Sequence, residues 1–226
     1  MKRIYLIMLM IAAMMVSCNP KDEDDNNNSG GNGNNGGGSA GEIAGHGYVD
    51  LGLPSGLKWA TCNVGAENPE DYGDYFAWGE TSPKAEYTSE NSITYGEQMS
   101  DISGNAQYDA ATANWGGSWR MPAKDELWEL LDYCEFEWTQ VNGVYGSKVI
   151  GPNGNSIFLP AAGRRFESSL YYAVEYGYYW SSTPLDYYDD YNDDRGAHYL
   201  CFYCGEEGVH YTLPRFHGLS VRPVSE

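Results

Sequence analysis

Positive charge is what this chain has least of. Its 226 residues carry 13 Lys and Arg against 32 Asp and Glu, a net charge of −19, and no basic cluster is larger than a pair. A nucleic-acid partner and an electrostatic grip on an anionic membrane both need basic surfaces, so both are excluded. Long hydrophobic runs are missing too. The run from Ile4 to Val16 has 13 residues, short of the roughly 20 that span a bilayer as a helix. Helical periodicity is absent over long stretches while Gly is abundant at 28, which favours a fold of strands and loops. Catalytic signatures are lacking: there is no Ser-His-Asp order and no metalloprotease helix motif. Nothing selects one carboxylate pair for glycoside hydrolysis. The chain therefore reads as a non-enzyme, with no cofactor and no assigned metal.

What is present begins with an export signal. Lys2 and Arg3 form a positive start, Ile4 to Val16 an apolar stretch of signal-peptide length, and Met15-Val16-Ser17-Cys18 closes it. This closing motif resembles the lipobox of bacterial lipoproteins, which implies a signal peptide over 1–17 and lipidation at Cys18; ordinary signal cleavage beside an incidental Cys is the plainer alternative. Asn19-Pro20-Lys21-Asp22-Glu23-Asp24-Asp25 follows. A Lys leading into acids resembles the surface-export signal of Bacteroidetes lipoproteins. It implies an outer-membrane protein held through its lipid anchor and facing the cell exterior; a merely solvated tether is the alternative. From Asn26 to Ala44 the composition is mostly Asn, Gly and Ser, which cannot bury a core. We assign 18–44 to a flexible tether, whose coil spans roughly 25–30 Å, and 45–226 to one domain, expected to be monomeric.

Within that domain, Gly47 to Leu53 and Leu57 to Val64 flank the turn signal Pro54-Ser55-Gly56 and predict a hairpin. Tyr75 to Trp78 and Ser118 to Met121 read as short strands, and residues 80–108 as a long loop. Asp109 is placed to cap a short helix over Ala110 to Asn114. The strongest helix runs from Ala123 to Cys134, with Leu127, Leu130, Leu131 and Cys134 on one face. Val141 to Ile150, Ser156 to Pro160, Tyr178 to Ser182, Ala197 to Tyr203, Val209 to Thr212 and Leu219 to Val221 read as strands. One main helix and one short helix among many short strands predict an α+β fold.

Five stretches carry a family resemblance: Val49 to Thr81, Trp115 to Leu131, Gly151 to Arg165, Tyr179 to Pro184 and Gly218 to Val224. In that order they resemble the Fibrobacter succinogenes major paralogous domain family. The resemblance implies a C-type-lectin-like fold of short twisted antiparallel strands with long loops. It implies paired N- and C-terminal strands, Tyr48 to Leu51 beside Leu219 to Pro223, and a surface lipoprotein with no enzymatic activity. Ala123 departs from the family's Thr ahead of the helix, a lost cap of about 1 kcal/mol. Cys62 and Cys134 fall inside the matching motifs. A disulfide between them suits an exported protein; two buried thiols acting as small hydrophobes are the alternative.

The last quarter of the chain is the candidate site. Residues 170–217 hold 11 of the 20 tyrosines, interleaved with acids and histidines. Stiff aromatic surfaces beside short polar groups are the chemistry of recognition. Trp180, Leu200, Phe202, Leu219 and Val221 are expected inside. Tyr171, Tyr172, Tyr178, Tyr187, Tyr188, Asp189, Asp190 and Tyr191 are assigned to ligand binding, with Asn192, His198, Tyr199, Tyr203, His210, Tyr211, Phe216 and His217. This residue set also resembles the diversified tail of retroelement variable proteins, which share the lectin-like fold. The expected ligand is a protein or a glycan; a fixed structural role in the envelope is the rival, and a polysaccharide-acting enzyme a more distant one. Cys201-Phe202-Tyr203-Cys204 has redox spacing, but positions i and i+3 of a strand point to opposite faces, and the same geometry opposes zinc at His198, Cys201, Cys204 and His210. The acids of 186–194 lack the Gly and Glu of an EF-hand loop, which leaves an irregular calcium loop or a solvated one.

Overall fold

The computed structural model describes residues 40–185, 195–204 and 206–226, and the backbone alone for 210–212. The expected signal peptide, Cys18 and most of the expected tether lie outside the described residues, as does the acidic stretch 186–194.

The domain is an α+β fold of antiparallel sheets with two α-helices among the described residues. Its first sheet joins β1 (Ala40–Ile43), β2 (His46–Asp50), β3 (Lys58–Ala60) and β12 (Val224–Ser225), in that order. The predicted hairpin is β2 and β3, closed by Gly56 N donating to Leu53 O at 2.9 Å. The expected pairing of the chain ends is corrected by one strand. Leu219 to Pro223 runs beside the β3 side, with Ala60 N donating to Pro223 O at 2.9 Å and Val64 N to Val221 O at 3.0 Å. The reason is that β1 already fills the other edge of β2, so only β3 presents an open edge. β1 lies ahead of residue 45, where the domain was expected to begin. Its turn uses Ala44 and Gly45 at φ of 50° and 82°, a two-residue hairpin geometry.

The central sheet is β9 (Tyr176–Pro184), β10 (Gly196–Tyr203) and β11 (Glu206–Pro214), with β10 in the middle. Both of its faces are buried. Tyr178, Trp180 and Cys201 pack with Phe76, Trp78 and Met121. Tyr179, Leu200, Phe202 and Val209 pack with Trp59, Leu127 and Leu159. A bulge between Ala197 and Tyr199 resets the alternation. The expected inward positions, Trp180, Leu200, Phe202, Leu219 and Val221, are all buried.

Between these sheets the chain forms α1 (Ala110–Trp115) and α2 (Lys124–Tyr133) at the expected places. Asp109 caps α1 through Ala111 N and Thr112 N. Ala123 supplies no side-chain cap to α2, but the start is held from elsewhere. Lys124 N donates to Thr183 Oγ1 at 3.0 Å, and Ala123 N to Glu126 Oε2 at 2.8 Å. Then come β4 (Glu135–Val141), β5 (Val144–Ile150) and β6 (Ser156–Pro160), a three-stranded sheet, and the β7 (Arg164–Phe166) and β8 (Ser169–Tyr171) pair. The expected strand at Tyr75 to Trp78 is a single bridge, Phe76 to Leu219, although all four residues are buried. Cys62 and Cys134 are free thiols, which corrects the disulfide reading. Cys62 Sγ turns to Glu67 O at 3.7 Å, while Cys134 packs against the Leu127–Val149 core.

Candidate functional site

The register of β9 on β10 sets Tyr178 opposite Cys201 and Tyr176 opposite Tyr203. With a side-chain period of two, these four project from one face. At the Trp180 end this face is core. Toward Tyr176 and Tyr203 it opens, since both rings are only half-buried. Tyr176 lies 4.9 Å from Tyr203 and 5.8 Å from Tyr178, and Tyr199 6.0 Å from Tyr178, between ring centroids. Tyr172 continues the row, 5.5 Å from Tyr176, and Tyr171 stands 6.3 Å from Tyr172. Phe166 then links Tyr171 to Phe216 and His217. The separations fall in the range where aromatic pairs attract beyond their buried area.

Arg164 sits under this ladder. Its guanidinium lies 5.6 Å from the Tyr172 ring and 5.8 Å from the Tyr178 ring. Nη1 is 3.2 Å from His217 Nδ1. A guanidinium can only donate, so His217 is neutral and accepts at Nδ1. Burial, with the Arg164 charge added, lowers His217 to about 4. Among the described residues Arg164 has no carboxylate within ion-pair distance. Arg165 and Arg222 likewise make no ion pair among the described residues. Arg165 lies over the Tyr75 ring, and Arg222 is buried with four donations to Asn63 Oδ1 and the carbonyls of Ala60, Thr61 and Phe158. Burial pushes the Cys201 thiol up to about 12, which removes the thiolate a redox role needs. Among the described residues no group of three His, Cys, Asp or Glu is placed to hold a metal.

The outer lip of the ladder is exposed apolar surface: Leu170 at 40%, Tyr171 at 41%, Tyr172 at 46% and Val174 at 50%. Its backbone is strained. Glu167, Tyr172 and Val174 have φ of 51°, 59° and 67°, a region costly for a β-branched residue. The strain is imposed from below. Val174 N donates to Ala161 O at 2.8 Å and Tyr176 N to Tyr172 O at 2.9 Å. Gly163 lies so close that a Cβ there would collide with Tyr171 O. Beside the lip is an open cleft of about 270 Å³, lined by Trp138, Tyr145, Val174, Glu175, Tyr176, Tyr203 and Cys204.

The predicted residues divide. Tyr171, Tyr172, Tyr199, Tyr203 and Phe216 join the ladder. Tyr178, His198 and His217 are buried at 9%, 1% and 7% exposure, so they support the face from beneath rather than present it. For Tyr178 and His198 this follows from the two-sided packing of the central sheet, while His217 is covered by Phe166, Phe216 and Arg164. Tyr187, Tyr188, Asp189, Asp190, Tyr191 and Asn192 lie outside the described residues, as do the side chains of His210 and Tyr211, although the last two belong to β11. The readings of 186–194 as a calcium loop fall there too. Sequence reasoning missed Trp138, Tyr145, Arg164 and Tyr176. For Trp138 a signal was legible: Phe136 and Trp138 alternate with the exposed Glu135 and Glu137 of β4. Asn142-Gly143, at φ of 48° and 85°, marks the β4–β5 hairpin.

Comparison of the chain with protein-family models, with curated proteins and with solved structures finds no match.

Proposed function

We propose that this chain is a lipid-anchored protein of the outer membrane, facing the cell exterior. Its C-type-lectin-like domain binds a protein or glycan ligand through the aromatic ladder and its exposed lip. The observation that carries this is the lip itself: four exposed apolar residues within one short stretch, two of them at positive φ. Folding alone gives no reason to keep Tyr and Val in a strained, solvated loop. Strain held at an exposed aromatic surface is the usual mark of a binding site. The lectin-like fold is supported by both ends of the domain sharing one sheet, by the long 80–108 loop and by the two helices. Lipidation and outer-face display rest on Cys18 and on the Lys21-to-Asp25 motif. Diversification of the tail by a retroelement is part of the same reading.

The test is capture. The purified chain is screened on a glycan array and a panel of immobilised proteins, beside a Tyr171→Ser/Tyr172→Ser variant. The reading expects a hit that the double substitution weakens at least tenfold. A hit unaffected by it would place binding elsewhere and overturn the proposal.

A further inference from the structure

The cleft beside the lip has a composition of its own. Four aromatic rings, Trp138, Tyr145, Tyr176 and Tyr203, line about 270 Å³. Two come from the β4–β5 hairpin and two from the β9–β10 pair, so the cleft forms where separate sheets meet. Trp138 and Tyr145 are nearly parallel, 14° apart with centroids at 6.1 Å. Tyr176 and Tyr203 stand at 37° and 4.9 Å. One carboxylate, Glu175, lines the cleft and makes no ion pair among the described residues. A second, Glu206, accepts from the Tyr203 hydroxyl at the edge. No Lys or Arg is among the lining residues. Arg164 lies over Tyr172 and Tyr178, the ring neighbours of Tyr176, and is not part of the cleft lining.

Ring faces carry negative potential and attract a cation, and they do so best when the cation sheds its water cheaply. A quaternary ammonium meets that condition because it has no N–H donor to leave unsatisfied. Two carboxylates and a net charge of −19 add long-range attraction for a cation. The volume admits a head group of choline size. We infer that the Trp138–Tyr145–Tyr176–Tyr203 cleft binds a quaternary ammonium group, with Glu175 as the counter-charge. The inference rests on the recognition reading above and names a chemical class for one part of that surface.

The experiment uses the purified full chain and follows the Trp138 indole N–H signal by NMR while choline is added. The matched probe is 3,3-dimethylbutan-1-ol, which keeps the shape and drops the charge. Saturable shifts with choline, at least fivefold weaker with the neutral alcohol, are expected. Glu175→Gln, an exposed substitution, should weaken choline about threefold or more, and salt should do the same. Trp138→Leu should abolish the effect on the remaining cleft signals with the circular dichroism unchanged. Equal binding of choline and the alcohol would overturn the inference, since the cleft would then be merely apolar. No choline shift at tens of millimolar would overturn it as well. If choline fails while macromolecular capture still depends on Tyr171 and Tyr172, the cation inference falls and the recognition reading stands. If choline binds the wild type but no macromolecule is captured through those tyrosines, the cation inference stands and the recognition reading falls.

Discussion

Replacing Asp109 by Ala should cost this fold more than any surface change, and the structure says by how much. Asp109 is fully buried. Its Oδ1 accepts from Ala111 N at 2.9 Å and Thr112 N at 3.0 Å; its Oδ2 accepts from Gly104 N at 2.8 Å and Met121 N at 2.9 Å. One carboxylate thus caps α1 and ties it to the 101–104 turn and to the segment before α2. Removing it orphans two buried donors, those of Ala111 and Met121, at about 1–3 kcal/mol each. The other two donors are partly open to water and lose about 1 kcal/mol as a cap. The expected loss is about 3–7 kcal/mol, roughly 15 °C in melting temperature for a domain of this size. Asp109→Asn is the informative partner. Its oxygen can keep the cap, but its amide then faces the N–H groups of Gly104 and Met121, donor against donor. Burial pushes this carboxyl above the usual carboxylate range, against its four N–H partners. The folded state therefore keeps the proton to a higher pH than the unfolded chain, and this group's contribution declines as pH rises through that interval. Urea unfolding at pH 7, followed by tryptophan fluorescence, measures both variants. A loss below 1 kcal/mol for Asp109→Ala, or an Asn variant equal to wild type, would refute the reasoning.

Other consequences are smaller. His217 is lowered to about 4, so below about pH 6.5 the unfolded chain takes up a proton that the folded state resists. Its stability contribution is full above that pH and is lost as the pH falls toward 4, by up to about 3 kcal/mol. His217→Gln, which keeps an acceptor for Arg164, should flatten the unfolding free energy between pH 7 and 4.5 relative to wild type, and parallel curves would contradict this. Gly177→Ala should cost about 2 kcal/mol or more in denaturant unfolding, because the added Cβ would collide with the Phe202 ring; an Ala variant of unchanged stability would mean that Phe202 moves freely. Among Cys62, Cys134 and Cys201, iodoacetamide at pH 8 should label Cys62 first. Burial pushes the other two up to about 11 and about 12; peptide mapping that finds Cys201 modified as fast would show that its packing opens.

Local features were legible in the sequence. The leucine spacing of α2, the Asp109 cap and the turn at Pro54-Ser55-Gly56 need only neighbouring residues to be read, and each stands where expected. Pairing across the chain was harder. β1 reads as tether because Ala40-Gly41-Glu42-Ile43 carries little apolar pattern; it is ordered by β2 and by Trp119 Nε1, which donates to Ile43 O at 2.8 Å. The same limit applies to the tyrosines. Composition marks the tail as aromatic, but only the two-sided burial of the central sheet decides that Tyr178 and His198 lie beneath the face and Tyr171 and Tyr172 upon it. Trp138 and Tyr145 are distant from Tyr176 in sequence, on strands of another sheet, and no local signal could join them.

The central claim is that the lip is kept for binding and not for folding. Tyr172 has φ of 59° and is 46% exposed, so Tyr172→Gly removes the ring while suiting the backbone. Relief of strain should largely offset the lost contacts with Tyr176 and Arg164. The unfolding free energy of this variant is the most direct measurement. The account predicts a change within about 1 kcal/mol, as for a surface position. A loss of about 3 kcal/mol or more, the range for truncating a core aromatic, would contradict it and make the lip part of the core.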